Sequence, residues 1–240
     1  MVSFEVSKTE SLIMRAAKEP FWELMGVLFK SHPWHGVPIG DDAPDRVTAH
    51  IESVPTDSVK YEIDKATDHL MVDRPHKYSS VCPTLYELIP RTYCAERVAA
   101  LCEEVLGRKV VGDHDPVDIC VLTERVIAHG DVLVSAIPIG GLRTIDSDEA
   151  DDKIIAVLEK DATYGSSTGI SDVPESLIDR LRHYFLTYKQ GPGEAPACEI
   201  AEVYGREKAL QVINESSADY EDRFGDLSGA AKQRIAWQCL

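Results

Sequence analysis

Between residues 47 and 160 the chain runs in short apolar-rich stretches, "VTAHIESV", "VKYEID", "LMVDR", "VDICVLTERV", "DVLVSAIPIGGL" and "KIIAVLEK", each bounded by turn-forming residues. β-Branched side chains are dense in them and no long helix separates successive pairs, which predicts an antiparallel barrel or sandwich rather than a parallel α/β sheet. Outside that block the period lengthens. Residues 9–30 predict helix in two pieces, with Pro20 starting the second, before the turn-rich "SHPWHGVPIGDDAP". "AERVAALCEEVLG" is helical within the connection 88–112. In "SDVPESLIDRLRHYFLTYK", Asp172 and Glu175 have capping-box spacing, Leu177, Leu181, Tyr184 and Tyr188 share a face that should lie on the β scaffold, and "QGPG" ends the helix. Residues 197–217, with Ile200, Val203, Leu210 and Ile213 apolar, predict a second amphipathic helix weakened by Gly205, and the acidic tail after it is expected to be solvated. The expected organisation is a helical N-terminal extension over 1–46, a β domain over 47–192 with a long connection at 88–112, and a C-terminal helix and tail over 193–240 packed on the same domain.

Length and composition narrow the class. A chain of 240 residues, 44% hydrophobic and 28% charged, buries a real core. Its 41 acidic and 25 basic residues leave a formal charge of −16, which repels nucleic acid and anionic membrane and means that an anionic substrate would need a metal. Six cysteines without a CxxC pair fit reduced thiols better than a disulfide framework or a zinc site. Glu5, Lys8, Glu10, Arg15, Lys18 and Glu19 interrupt the region where a signal peptide would be apolar, and no run reaches membrane-spanning length, so the expected location is the cytoplasm.

The chemistry concentrates in "GDHDPVDIC", which places Asp113, Asp115 and Asp118 within six positions. Pro116 forces an extended or turn conformation on Asp115, so the segment bends and the three carboxylates converge at a strand entrance. A second acidic knot, "DSDEADDK" at 146–153, reads as a hairpin loop between two strands. Two such loops on one β scaffold can face each other, and facing carboxylates are what hard divalent cations such as Mg²⁺ require. An EF-hand loop fails, because Asp118 stands where its sharp-turn glycine is needed. An aspartate-nucleophile phosphatase of the haloacid dehalogenase type is formally matched by Asp113, Asp115 and Val117, but the sequence that follows is strand-like where that fold needs a helix.

These residues resemble the soluble family I inorganic pyrophosphatases, whose signature is Asp-x-Asp-Pro-x-Asp. "VKYEIDK" at 59–65, "VDR" at 72–74, "DHDPVDICV" at 113–121, "DEADDK" at 148–153 and "YK" at 188–189 follow the family's order, over roughly residues 50–190. The resemblance implies a mainly β (α+β) fold, a five-stranded OB-like barrel flanked by α-helices with helical extensions at both ends. It also implies a cytoplasmic homo-oligomer that hydrolyses pyrophosphate to two orthophosphates with several Mg²⁺ ions per site, by direct attack of a metal-bridging hydroxide. Carried over by position, Asp113, Asp118 and Asp151 resemble ligands of the tightest ion, Asp118 is shared with a second, Asp146 with Asp151 holds a further ion that arrives with substrate, Glu62 contacts another, and Glu52 is an additional candidate. Asp115 resembles the general base. Lys60, Arg74, Lys153 and Lys189 resemble the cationic grip on phosphate, with Tyr86 and Tyr188 as hydroxyl donors.

The chain departs from the family pattern at named positions. His114 replaces the usual glycine between the first two aspartates, Cys82 falls where a phosphate-site tyrosine is expected, and Glu87 follows Tyr86 where many members have glycine. The reading from a different class is a metal-binding or regulatory module on the same scaffold without turnover. Retention of Asp115 favours the enzyme.

Overall fold

The computed structural model describes residues 30–225, so the predicted N-terminal helices and the tail beyond residue 225 lie outside the described residues. Among the described residues ten strands form: β1 (Val47–Ser53), β2 (Val59–Ile63), β3 (Leu70–Pro75), β4 (Leu85–Leu88), β5 (Val111–Gly112), β6 (Asp118–Leu122), β7 (Val132–Asp146), β8 (Glu149–Ala150), β9 (Lys153–Leu158) and β10 (Cys198–Gly205). Three helices, α1 (Glu96–Leu106), α2 (Glu175–Thr187) and α3 (Arg206–Phe224), accompany them.

Five strands close on themselves. β1 pairs with β4, β4 with β6, β6 with β9, β9 with β7, and β7 returns to β1, which makes the expected five-stranded barrel without a free edge. Only the β6–β9 contact within this ring is parallel. Alternate residues of these strands enter two cores, as a period of two requires. Ile119 and Val121 of β6 and Ile154 and Ala156 of β9 join one core, shared with Val212 and Ile213 of α3; Cys120, Leu122, Ile155 and Val157 join the other. That second core takes Ile178, Leu181, Tyr184 and Phe185 from α2, with Leu177 and Tyr188 packed at its edge, the face expected from the sequence. β6 and β9 are therefore buried on both sides, and their sequences read as continuous apolar runs.

Two expectations need correction. Residues 198–205 are not helical but form β10, antiparallel to β7, and helix begins only at Arg206. The apolar spacing misled because a register shift between Ile200 and Glu202 breaks the strand alternation, so Ile200 and Val203 fall three apart as in a helix. Gly205 is the strand-to-helix boundary rather than a weak point within a helix. Gly141 of β7 lets β10 approach: a Cβ there would lie 2.4 Å from the Tyr204 ring. At α2 the capping box does not form. Pro174 is the N-cap and carries no side-chain bond, while Asp172 accepts from the N–H groups of Thr168 at 2.8 Å and Gly169 at 3.1 Å in the preceding 3-10 turn.

Candidate active site

Strand pairing brings the two acidic loops together. Val111 and Gly112 of β5 run parallel to Glu149 and Ala150 of β8, and Asp118 is in register with Lys153 across β6–β9, so 113–118 and 146–153 lie side by side. The first loop rests on the backbone of Cys94. Cys94 N–H donates to the Asp115 carbonyl at 2.9 Å, His114 N–H donates to the Cys94 carbonyl at 3.0 Å, and a Cβ on Gly112 would lie 2.2 Å from that carbonyl oxygen. His114 takes a left-handed φ of 63°, which accounts for glycine being the easier residue there, and its exposed ring is hydrogen bonded to the Tyr93 hydroxyl at 2.9 Å. Asp115 N–H donates to Asp113 Oδ1 at 3.0 Å, closing the bend.

A cleft of about 280 Å³ opens between these loops, the β2–β3 ribbon and the end of α2. Every residue singled out from the sequence lines it: the carboxylates Glu52, Glu62, Asp113, Asp115, Asp118, Asp146 and Asp151, the cations Lys60, Arg74, Lys153 and Lys189, and Tyr86 and Tyr188. The cations lie against the carboxylates. Lys153, 4% exposed, donates to Asp118 Oδ2 and to Asp151 Oδ1, the latter at 2.5 Å. Burial works against its charge, but Asp118 and Asp151 outweigh it and raise its pKa well above the ordinary lysine value. Tyr86 donates its hydroxyl to the same Asp118 oxygen. Lys189 pairs with Asp146, and Lys60 lies 3.2 Å from Glu62 Oε2. Arg74 pairs with Asp73 and sits 5.7 Å from the Tyr188 ring centre, with Lys189 5.4 Å from the same ring.

The negative charge still exceeds what these cations offset. Burial and the nearby Asp151 push the Asp113 pKa well above the carboxylate range, and burial raises Glu52 to about 8. Glu52 Oε1 is buried and accepts no hydrogen bond. Oxygen donors with surplus negative charge, one of them orphaned, fit a hard divalent cation. Among the described residues no three His, Cys, Asp or Glu side chains stand close enough together to chelate one ion as they are placed, because lysine ammonium groups lie between them.

Four further charged or aromatic side chains line the cleft. Lys65 pairs with Asp115 and lies 6.0 Å from the ring centre of Trp34, while Glu87 lies 3.9 Å from Lys60 and Glu149 sits on β8. Lys65 was available to the sequence as the last residue of "VKYEIDK"; nothing local marked Trp34. Cys82 is 1% exposed in the α2-side core, outside the cleft, so it offers no surface to a ligand there.

The family described as Inorganic pyrophosphatase matches residues 49–221. The chain belongs to the inorganic pyrophosphatase family. It is an enzyme of the class that hydrolyses inorganic pyrophosphate, and membership implies a divalent metal cofactor. It is 50% identical over 199 residues to an inorganic pyrophosphatase of Chlamydia caviae, across 80% of this chain and 92% of that protein. It is 34% identical over 194 residues to soluble inorganic pyrophosphatase 2 of Chlamydomonas reinhardtii, across 81% and 91%. The crystal structure of the inorganic pyrophosphatase from Thermus thermophilus shares the fold with a TM-score of 0.64 at 28% identity, over 77% of this chain and 97% of that one. The family match continues through β10 into α3, some way beyond the sequence motifs, which end at Lys189. Among the described residues no helix is long and apolar enough to cross a membrane.

Proposed function

We propose that the chain hydrolyses pyrophosphate to two orthophosphates with Mg²⁺, by direct attack of water and with Asp115 as general base. The observation that carries this reading is the convergence of both acidic loops and five cations on one cleft. Asp113, Asp118 and Asp151 would hold the tightest ion, Asp146 with Asp151 another, and Glu62 with Glu52 a third; all are oxygen donors, as Mg²⁺ prefers. When bound, such ions shield the phosphate charge and make water more acidic.

The chain's own groups do the rest. Asp115, 45% exposed at the cleft wall, is open to water, and its pairing with Lys65 orients the carboxylate. Lys60, Lys153 and Lys189 supply point charges to phosphate oxygens. Arg74, braced against the Tyr188 ring, offers a planar fork that lysine lacks. Tyr86 and Tyr188 donate hydroxyl hydrogen bonds. No covalent intermediate on the chain is needed.

The finer context belongs to the same reading. Five cysteines among the described residues are free and buried, which supports a reducing, cytoplasmic setting. Met71 and Val72 on β3, each about half exposed, support a homo-oligomer, which sedimentation at several protein concentrations tests. The activity is tested by phosphate release from pyrophosphate with Mg²⁺, on wild type and Asp115→Asn. Turnover in wild type and a loss of about 10²–10⁴ in kcat for the variant, with Mn²⁺ binding retained, is expected. Silence in both removes the enzyme reading; near-normal turnover in the variant moves the base elsewhere.

A further inference from the structure

Glu87 is the least provided-for charge in the cleft. Its in-register neighbours are Ile51 on β1 and Ile119 on β6, both fully buried, and its own side chain is only 9% exposed. Oε1 faces the Lys60 ammonium at 3.9 Å, too far for a hydrogen bond, and Oε2 is buried with no partner. Glu52 shares the defect nearby: Oε2 accepts from Ile63 N–H at 3.0 Å, while Oε1 accepts no hydrogen bond and has the His50 Nδ1 3.6 Å away. Burial raises the pKa of both carboxyls.

Lys60 does not remedy this. Its single ammonium has Glu62 at 3.2 Å and Glu87 at 3.9 Å, two carboxylates against one positive charge, while Asp73 at 4.0 Å is paired with Arg74. When Lys60 turns toward a phosphate oxygen, as the proposed function requires, Glu62 and Glu87 lose even that partner. Buried carboxyls in this condition hold a proton until a cation from solution displaces it, and an all-oxygen set selects a hard divalent ion.

We propose that Glu87 is an additional carboxylate of this chain's divalent-cation cluster, forming with Glu52 and Glu62 a seat beside Lys60. The inference rests on reading the acidic cleft as a metal site. It adds to that reading a residue that the five sequence motifs do not contain.

The test uses the full chain and Mn²⁺ as probe, with free ion counted by electron paramagnetic resonance, in the absence and presence of orthophosphate. Wild type, Glu87→Gln and Asp118→Asn are titrated, and each is melted with and without Mn²⁺. Glu87→Gln is expected to weaken one weaker class of bound ion at least tenfold while the tightest class is unchanged. Its melting temperature without metal should equal or exceed that of wild type, because the amide needs no counter-charge, and its gain on adding Mn²⁺ should shrink. A residue that served packing alone would instead lower the metal-free melting temperature and keep the full gain. Should Glu87→Gln not fold, Glu87→Asp retains the charge one methylene short and is expected to weaken the same class severalfold. Superimposed isotherms for wild type and the Glu87 variant overturn the proposal, leaving a hydrated carboxyl only. If Asp118→Asn also leaves the tightest class intact, the metal reading of the cleft falls with it; if Asp118→Asn removes that class, only the assignment of Glu87 falls.

Discussion

At His35 a titratable ring is held neutral by its surroundings. It stacks on Trp34 with ring centres 4.5 Å apart, meets Phe224 edge-on at 5.0 Å, and is hydrogen bonded through Nδ1 to the Tyr220 hydroxyl at 2.9 Å. Burial first, then the charges of His32 and Arg91, lower its pKa to about 4. The unfolded chain takes up the proton near pH 6.5 and the folded one resists it until about 4, so this group's contribution is complete above pH 6.5 and is lost as pH falls from there toward 4. The full shift converts to about 3 kcal/mol, and partial exposure of the ring reduces that to about 1–2 kcal/mol. His35→Phe keeps the ring contacts and removes the titration. Urea midpoints at pH 7.5 and pH 4.5 should separate less in the variant than in wild type, and equal separation would assign the acid sensitivity to other groups.

The element scale decides how the long connection 88–112 is held. α1 has no side-chain cap of its own, yet its first amides are satisfied by Asp219 of α3: the N–H groups of Ala95, Arg97 and Val98 donate to Asp219 Oδ2 at 3.0, 3.1 and 3.4 Å. A carboxylate at a helix N-terminus also meets the positive end of the dipole. Asp219→Ala should cost about 2 kcal/mol and Asp219→Asn about half of that, read from urea unfolding, with faster amide exchange confined first to the start of α1. If exchange there is unchanged, the cap is not what holds α1. This link was invisible in the sequence because cap and helix are 124 positions apart. What was legible is local: Pro116 dictating the bend, the β-branched apolar runs of β6 and β9, and the shared face of Leu181 and Tyr184. The strand at 198–205 was hidden for the same reason as the cap, since its identity comes from β7, more than fifty residues earlier, and a bulge erased its period of two. Likewise most of the charged cleft residues could be named from their motifs, whereas Trp34 and the pairing of Lys65 with Asp115 exist only once the chain has folded.

For the whole molecule the governing quantity is the charge of −16, part of it concentrated where two loops, two ribbon strands and the end of α2 converge. Self-repulsion of that size opposes compaction, and any salt relieves it by screening at a Debye length of about 8 Å at physiological ionic strength. Divalent ions taken up by the cleft act differently, because binding to the folded chain alone adds stability that grows with the logarithm of their concentration. At about a hundred times the dissociation constant the gain is about 2.7 kcal/mol, or roughly 5–10 °C for a chain of this length. Mg²⁺ should therefore raise the melting temperature well beyond NaCl of equal ionic strength, EDTA should return it, and Asp118→Asn should respond to the two salts alike. An equal rise with both salts in wild type would reduce the acidic cleft to ordinary surface charge, since screening does not distinguish carboxylates that converge from carboxylates that are scattered.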